Sequence, residues 1–220
     1  MRIDKLGFKT SFPVDFFVEL NEFAKRKSFN PCGWPDSIYT RNFIRDFCKA
    51  WGATYAHGVT KGVFVFGNLG FVLKFNIVDN RANCTQEYEA YLCAKDYKID
   101  RICMPIDVFY TAPCGERFFI QPFAQVMEEN EDIYFAIEDL FREKKFCERK
   151  IERFSKGFHY SENVPLSFWK RCIQYYGWKF MRRVKEWADE CYVEDLHEGN
   201  IGVVGNLRPV LIDYSGAYHL

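Results

Sequence analysis

The sequence predicts an α+β fold in which a five-stranded antiparallel sheet is followed by a mainly helical region. Three observations support this fold class. Apolar residues recur at helical spacing in the first 50 residues, alternate with a period of two through most of residues 53–123, and return to helical spacing after residue 130. These changes predict three parts: an N-terminal helical extension (1–52), a sheet domain (53–123) and a helical domain (124–220).

The composition indicates a globular protein of a reducing compartment. The 220 residues include 23 Phe and 13 Tyr, and 30 basic residues balance 30 acidic ones. This balance leaves no net field that would recruit nucleic acid or an anionic membrane. Nine cysteines without a C-x-x-C pair and four scattered histidines argue against a zinc site. With no apolar run near the roughly 20 residues of a membrane span and no signal-like N-terminus, we expect a cytoplasmic protein.

Residues 1–52 are predicted to form two helices, separated by a breaker rich in Pro and Gly. The first, residues 13–28, is amphipathic and ends in Lys25–Lys27, which we expect to be a solvated helix end. The second, residues 36–51, is also amphipathic and is stopped by Gly52.

The predicted sheet contains a loop and a lysine that suit phosphate binding. Gly58 and Gly62 bound a loop between two strands, where backbone amides could approach a phosphate closely. Lys74 lies in the apolar strand 71–75, and period two places it on the face opposite Phe71, Leu73 and Phe75. A lysine on a half-buried strand needs an anionic partner, and the alternative is a plain edge lysine.

A helix predicted over residues 81–98 follows the third strand and offers that partner. Glu87 and Glu89 point about 200° apart on such a helix, so only one of them can face Lys74. We choose Glu87 because apolar residues of the helix share its stripe, and Glu89 remains the alternative.

The remaining chain is predicted to complete the sheet and to supply the helical domain. Residues 101–110 and 116–123 are predicted as the last two strands, joined by a hairpin. Residues 131–146 form an amphipathic helix, and residues 163–190 form the longest helix, with a wide apolar face.

Residues 195–213 are predicted to gather three oxygen-bearing side chains. Asp195, Asn200 and Asp213 flank two short apolar runs, which Gly205-Asn206 joins as a two-residue hairpin turn. The hairpin returns Asp213 beside Asn200. Mg²⁺ prefers such oxygen ligands, usually one or two carboxylates together with substrate phosphates.

This spacing resembles the protein-kinase superfamily. Its D-x-x-x-x-N catalytic loop matches Asp195–Asn200, and its D-F-G motif matches Asp213-Tyr-Ser-Gly216 after a hairpin. His197 makes the match closer to aminoglycoside and choline kinases, and to small phage and bacterial kinases, than to eukaryotic protein kinases. The resemblance covers about residues 53–216. It implies a two-lobed kinase-like fold with its N-lobe in residues 53–123 and a reduced, truncated C-lobe in residues 124–220.

The resemblance implies ATP and Mg²⁺ as cofactors. Asn200 and Asp213 would hold the metal. Asp195 would accept the proton of the acceptor hydroxyl or orient that hydroxyl, and His197 would reach the transferring phosphoryl group.

The resemblance also assigns the nucleotide contacts of the sheet. Lys74 would hold the α- and β-phosphates, and Glu87 would orient Lys74. The loop bounded by Gly58 and Gly62 would cover the phosphates. Gln121 and Phe123, in the hinge that follows the sheet, would contact the adenine.

Three departures from the kinase pattern limit the resemblance. Val193-Glu194 precedes Asp195 where kinases have His-Arg or His-Gly, Tyr214 replaces the Phe of D-F-G, and seven residues follow Asp213. An activation segment and the helices behind it are therefore missing from the pattern. The N-terminal helices, a partner protein or self-association would have to cover the face that these helices occupy.

The expected activity is ATP- and Mg²⁺-dependent phosphate transfer. The expected acceptor is a Ser/Thr hydroxyl of a protein, with a small-molecule alcohol as the next candidate. A pseudokinase-type binding module and a transferase of AMP remain alternatives.

Overall fold

The computed structural model describes residues 2–6, 8–77, 84–127, 148–158, 164–193 and 196–214. Within these residues it has six α-helices, a five-stranded and a three-stranded antiparallel sheet and a two-stranded hairpin, so the α+β class and the five-stranded sheet are confirmed. The chain divides into two compact units, Met1–Thr85 with Pro105–Phe123, and Gln86–Met104 with Ala124–Leu220. No helix in the described part of the chain combines the length and apolarity needed to cross a membrane.

The first unit contains the five-stranded sheet, whose strand order is β3-β4-β5-β7-β6. An additional N-terminal pair of antiparallel strands, in which Arg2 pairs with Ser11 and Lys5 with Phe8, was not predicted. The strands are β1 (Arg2–Lys5), β2 (Phe8–Ser11), β3 (Thr54–His57), β4 (Lys61–Phe66), β5 (Phe71–Asn76), β6 (Asp107–Thr111) and β7 (Arg117–Pro122).

Helices α1 (Val14–Arg26) and α2 (Ile38–Trp51) pack against one face of this sheet, and a hydrophobic core lies between the helices and the sheet. Residues 1–52, predicted as a separate extension, thus cluster with the sheet. The helices match the two predicted ones within two residues at each end. The core that they share with the sheet consists largely of phenylalanines, among them Phe16, Phe23, Phe47, Phe64, Phe66, Phe71, Phe75 and Phe118.

The ends of α2 follow from local chemistry. The Ser37 hydroxyl caps the helix by accepting the backbone N–H of Thr40 at 3.1 Å. Gly52 ends the helix in the left-handed conformation at φ 64°, as predicted, which an L side chain rarely adopts. Between these ends Phe47 packs on Phe64 of β4, with ring centroids 4.7 Å apart.

Lys27, predicted to lie at a solvated helix end, is instead largely buried. Its ammonium group forms a salt bridge to Glu116 at 3.1 Å, with side chains only 11% and 13% exposed. The same group donates to the backbone carbonyl of Asn76. The prediction fails because Glu116 lies 89 residues away in the sequence, and no local pattern shows the contact.

Lys27→Met is expected to lower the free energy of unfolding by about 3 kcal/mol, because it leaves Glu116 as a buried carboxylate without its cation. Lys25→Met is the matched control, since the Lys25–Glu22 pair is about half exposed and should cost less than about 0.5 kcal/mol. Urea denaturation measures both. An equal loss of unfolding free energy in the two variants would show that the buried Lys27–Glu116 pair contributes no more to stability than the exposed pair.

The second unit contains most of α3 and the remaining described helices. Its three-stranded sheet has the order β10-β9-β8. A helix after the third strand of the larger sheet is confirmed, whereas the predicted helix 131–146 lies outside the described residues. The elements are α3 (Cys84–Asp96), α4 (Glu148–Ser155), α5 (Leu166–Tyr176), α6 (Trp178–Glu190), β8 (Gln125–Val126), β9 (Ile201–Val204) and β10 (Arg208–Leu211).

The single long helix predicted over residues 163–190 is wrong, because Gly177 interrupts it. Gly177 has φ 81° and ψ 157°, so it ends α5 and begins α6. The apolar pattern crosses the break without a change of period, which is why periodicity alone does not reveal it.

The predicted strand 101–110 is also too long, since β6 begins at Asp107. Residues 102–104 run beside β10 instead. The N–H of Met104 donates to the Leu211 carbonyl at 2.8 Å, and the N–H of Leu211 donates to the Ile102 carbonyl at 2.8 Å. A pairing across more than 100 residues satisfies backbone groups that the larger sheet does not reach.

Candidate functional site

The β9–β10 hairpin brings Asn200 and Asp213 together, as the sequence predicts. Ile201 pairs with Leu211, so the residues just outside the two strands are neighbours. The Asn200 carbonyl accepts the N–H of Ile212 at 2.8 Å and that of Asp213 at 3.4 Å. Both side chains are half-buried. Asp195, the third predicted oxygen ligand, lies outside the described residues.

The turn of this hairpin is one residue longer than predicted. Arg208 pairs with Val204, which leaves three residues in the turn, and Leu207 takes a left-handed φ of 55°. Arg171 of α5 holds the turn by donating from Nε to the Leu207 carbonyl at 2.8 Å. This contact offsets the strain of a left-handed Leu.

His197 caps the short 3₁₀ turn Glu198–Asn200 that precedes β9. Its Nδ1 accepts the N–H of Gly199 at 3.1 Å, so in this arrangement the ring hydrogen is on Nε2. Nε2 is therefore the atom with which His197 can donate.

Tyr214, the residue after Asp213, is anchored by its side chain. Its hydroxyl donates to the Met104 carbonyl at 2.6 Å, and its ring packs on Trp187 of α6 at 5.8 Å. Burial, followed by the neighbouring Cys103 and Glu87, raises the pKa of the Tyr214 hydroxyl well above its ordinary value. The neutral, hydrogen-bonded phenol thus fixes the backbone that carries the Asp213 carboxylate.

Tyr214→Phe is expected to lower the free energy of unfolding by about 1–2 kcal/mol, because the Met104 carbonyl loses its donor. The raised pKa also predicts a pH effect. Folded Tyr214 keeps its proton while an unfolded tyrosine releases it near pH 10, so this contribution is complete below about pH 10 and falls by roughly 1.4 kcal/mol per pH unit above it.

Urea denaturation at pH 7 and at pH 10.5 tests both parts of this prediction. The variant should show a shallower alkaline loss of stability than the wild type. Tyr175→Phe is the control, because Tyr175 is 47% exposed and its ring contacts are kept. An unchanged alkaline slope in Tyr214→Phe would contradict the prediction.

Glu87 is fully buried in α3, whereas the alternative Glu89 is exposed. Its carboxylate lies close enough to Cys103 and Tyr214 to raise the pKa values of both groups, in addition to the larger effect of burial. The helix is held against α6 by a hydrogen bond from Trp187 Nε1 to the Ala90 carbonyl at 3.0 Å. Glu87 thus shares an environment with Tyr214, the residue after Asp213.

Lys74 lies in β5 with only 3% of its surface exposed. Its cross-strand partners are Val63 and Phe119. Its neighbours Leu73 and Phe75 belong to the phenylalanine core, so Lys74 occupies the other face of the sheet, as period two predicts. Gln121, fully buried in β7 opposite Val72, lies on the same face.

The loop predicted between Gly58 and Gly62 is shorter, because β4 already begins at Lys61. The Gly58 N–H donates to the Lys61 carbonyl at 2.9 Å and closes a tight turn. Gly62 lies within β4, where a Cβ atom would come within 2.3 Å of the Phe75 ring. Its missing side chain thus makes room for an aromatic ring in the core, on the face opposite Lys74.

Phe123, predicted to contact adenine, follows β7 and has 42% of its surface exposed. Its backbone N–H donates to the Gly70 carbonyl at 2.8 Å. That donor is therefore already engaged, and the exposed ring is the part of Phe123 that can contact a base.

Sequence reasoning missed Lys61, which is 5% exposed in β4. It pairs with Asn76, while Val63 pairs with Lys74, so the two lysines lie on the same sheet face. Residues 58–62 were predicted as a loop, and residues 63–66 are all apolar, so no alternation in the sequence marks the face on which Lys61 lies.

The second unit thus presents one carboxylate and one amide oxygen, from Asp213 and Asn200, at the end of a hairpin. These are donor types that Mg²⁺ accepts when phosphate oxygens complete its shell. Among the described residues, no three His, Cys, Asp or Glu side chains form a group that could hold a metal alone. No protein-family model, curated protein or solved structure matches the chain.

Proposed function

We propose that the chain is an ATP- and Mg²⁺-dependent phosphotransferase with a two-lobed, protein-kinase-like fold. The observation that carries the proposal is the convergence of Asn200 and Asp213 at one end of the β9–β10 hairpin. This is the arrangement implied by the D-x-x-x-x-N and D-F-G spacing. The helix after the third strand of a five-stranded antiparallel sheet agrees with the same resemblance.

Two buried ionisable side chains support the proposal. Lys74 is 3% exposed and Glu87 is fully buried, in the strand and helix from which kinases supply their phosphate-binding Lys and its Glu partner. Burial of ionisable side chains costs free energy, and such side chains are common in catalytic and binding sites.

Each residue has a defined part in the proposed reaction. Lys74 binds the α- and β-phosphates, and Asp213 and Asn200 supply oxygens to the metal. Bound Mg²⁺ would neutralise the phosphate charge that develops during transfer. The acceptor oxygen bonds to the γ-phosphorus as the bond to the β,γ-bridging oxygen breaks. ADP leaves, and the hydroxyl proton passes to Asp195.

The buried Tyr214 gives this site a fixed geometry. In the kinase motif, packing of the aromatic residue after the metal-binding Asp distinguishes active from inactive states. Tyr214 is 1% exposed and hydrogen-bonded to the Met104 carbonyl.

We propose a Ser/Thr hydroxyl of a protein as the acceptor of the phosphoryl group.

Nucleotide binding tests the proposal first. Mg·ATP at about 100 times its Kd should raise the Tm of the full chain by roughly 5–10 °C. Lys74→Met should abolish this shift. Lys49→Met, at an exposed position of α2, should retain it. Absence of a shift in the wild type at about 10 mM Mg·ATP, roughly tenfold above the usual upper range of KM values, would contradict the proposal.

Transfer of the labelled γ-phosphate tests the reaction itself. Label should appear on the chain, on proteins of a lysate or on a small alcohol, and it should depend on Mg²⁺. Binding of Mg·ATP without transfer or hydrolysis would favour a nucleotide-binding module over an enzyme.

A further inference from the structure

The Lys74 face of the larger sheet carries a second buried lysine, Lys61. The pairs Lys61–Asn76 and Val63–Lys74 make the two lysines diagonal neighbours on adjacent strands. Such positions lie roughly 7–8 Å apart, a spacing across which two long side chains can reach a shared ligand. Both are nearly inaccessible, with exposures of 5% and 3%.

The backbone around Lys61 is fixed on both sides of the residue. The Lys61 carbonyl accepts the Gly58 N–H at 2.9 Å, and the Thr60 carbonyl accepts the Ile77 N–H at 2.8 Å. Gly33 abuts this turn so closely that a Cβ atom there would lie 2.2 Å from the Gly58 carbonyl oxygen. Lys61 therefore starts β4 from a turn whose backbone is held in place, which lowers the backbone ordering that a ligand would have to impose.

Two lysine side chains on one face of a sheet carry like charges, which repel each other where they approach, and burial strengthens the repulsion. An anion with negative oxygens on two linked centres can contact both groups at once. A diphosphate has this chemistry, whereas a monophosphate offers only one centre. Lysine is a common phosphate ligand because its ammonium acts as a compact point charge.

We propose that Lys61 is a second phosphate-binding residue, which together with Lys74 contacts the diphosphate part of a nucleoside di- or triphosphate. This assignment rests on the proposed function and extends it. It makes the number of linked phosphates a determinant of affinity.

The test measures affinities of the full chain for Mg·ATP, Mg·ADP, AMP and adenosine by calorimetry. Lys61→Met should weaken Mg·ATP and Mg·ADP binding about 10–100-fold, as expected for loss of a charged hydrogen bond, with AMP and adenosine changed less than about twofold. Lys61→Arg should recover part of the loss. Lys49→Met should bind all four as the wild type does.

A nucleotide acyl phosphate provides a second test in the wild-type chain, so it does not depend on a variant that folds. A lysine amine beside the bound phosphates attacks the acyl carbon, an amide forms, and the nucleotide leaves with the phosphate oxygen. Peptide mass spectrometry should find acyl groups on Lys61 and Lys74, and excess Mg·ATP should suppress both.

The outcomes separate the two proposals. A wild type that binds none of the four ligands contradicts the proposed function. A wild type that binds Mg·ATP through Lys74 while Lys61→Met keeps full affinity for Mg·ADP overturns only the assignment of Lys61. Equal weakening for all four ligands, or acylation of Lys74 without Lys61, also overturns it.

Discussion

Asp213→Asn is expected to reduce Mg²⁺-dependent release of phosphate from ATP about 10³-fold. A metal ion supplies several kcal/mol of transition-state stabilisation, and each ~1.4 kcal/mol corresponds to a tenfold change in rate. The amide removes the carboxylate charge that holds the metal. Hydrolysis is the suitable readout because water serves as the acceptor, so the natural acceptor need not be identified.

The folded state should tolerate Asp213→Asn. The backbone contacts from Asn200 to Ile212 and Asp213 do not involve the side chain that changes. The Tm without nucleotide should therefore stay within about 2 °C of the wild type. Asp189→Asn is the matched control, since this acid of α6 is exposed and paired with Lys185 at 2.7 Å. An Asp213→Asn variant that hydrolyses ATP within threefold of the wild type would refute the metal-binding role.

Phe47→Ala is expected to lower the free energy of unfolding by about 3–5 kcal/mol, the usual cost of emptying a buried phenylalanine site. Phe47 is 1% exposed, and its ring packs on Phe64 of the sheet and on Phe16 of α1. Ile38→Ala is the control in the same helix, because Ile38 is 67% exposed and should cost less than about 0.5 kcal/mol. Urea denaturation at one pH measures both variants.

Removal of residues 1–52 tests the same packing on a larger scale. A chain that begins at residue 53 would expose the aromatic face of the sheet, including Phe64, Phe71 and Phe75. We expect it to lack a cooperative unfolding transition and to aggregate. A soluble, cooperatively folding chain of this length would show that α1 and α2 are a dispensable extension.

The elements that the sequence predicts well are those whose evidence is local. The α1 and α2 helices, the β4 and β5 strands and the β9–β10 hairpin each show a clear period, a cap or a turn within about a dozen residues. Gly52 ends α2 as predicted, because the left-handed conformation is a property of that one residue. The proximity of Asn200 and Asp213 is local in the same sense, since one hairpin produces it.

Gly62 and Lys61 illustrate why the candidate site was only partly predictable. The glycine spacing suggested a phosphate loop, but the Phe75 ring requires Gly62 to lack a side chain. The Gly58 N–H donates to the Lys61 carbonyl, so the turn before β4 is shorter than predicted. Lys61 is therefore part of the strand, on the same sheet face as Lys74. Turn length and strand register depend on hydrogen bonds between strands, and residue types constrain them weakly.

The sequence by itself determined the α+β class, the order of most elements, the face of β5 that carries Lys74 and the meeting of Asn200 with Asp213. Periodicity and turn chemistry act over short stretches, so they can be seen in the chain. Tertiary structure alone decided that α1 and α2 form the core of the sheet, that Lys27 is buried against Glu116, and that Tyr214 is tied to Met104. These contacts join residues far apart in sequence, where packing and the need to satisfy buried polar groups select the partner.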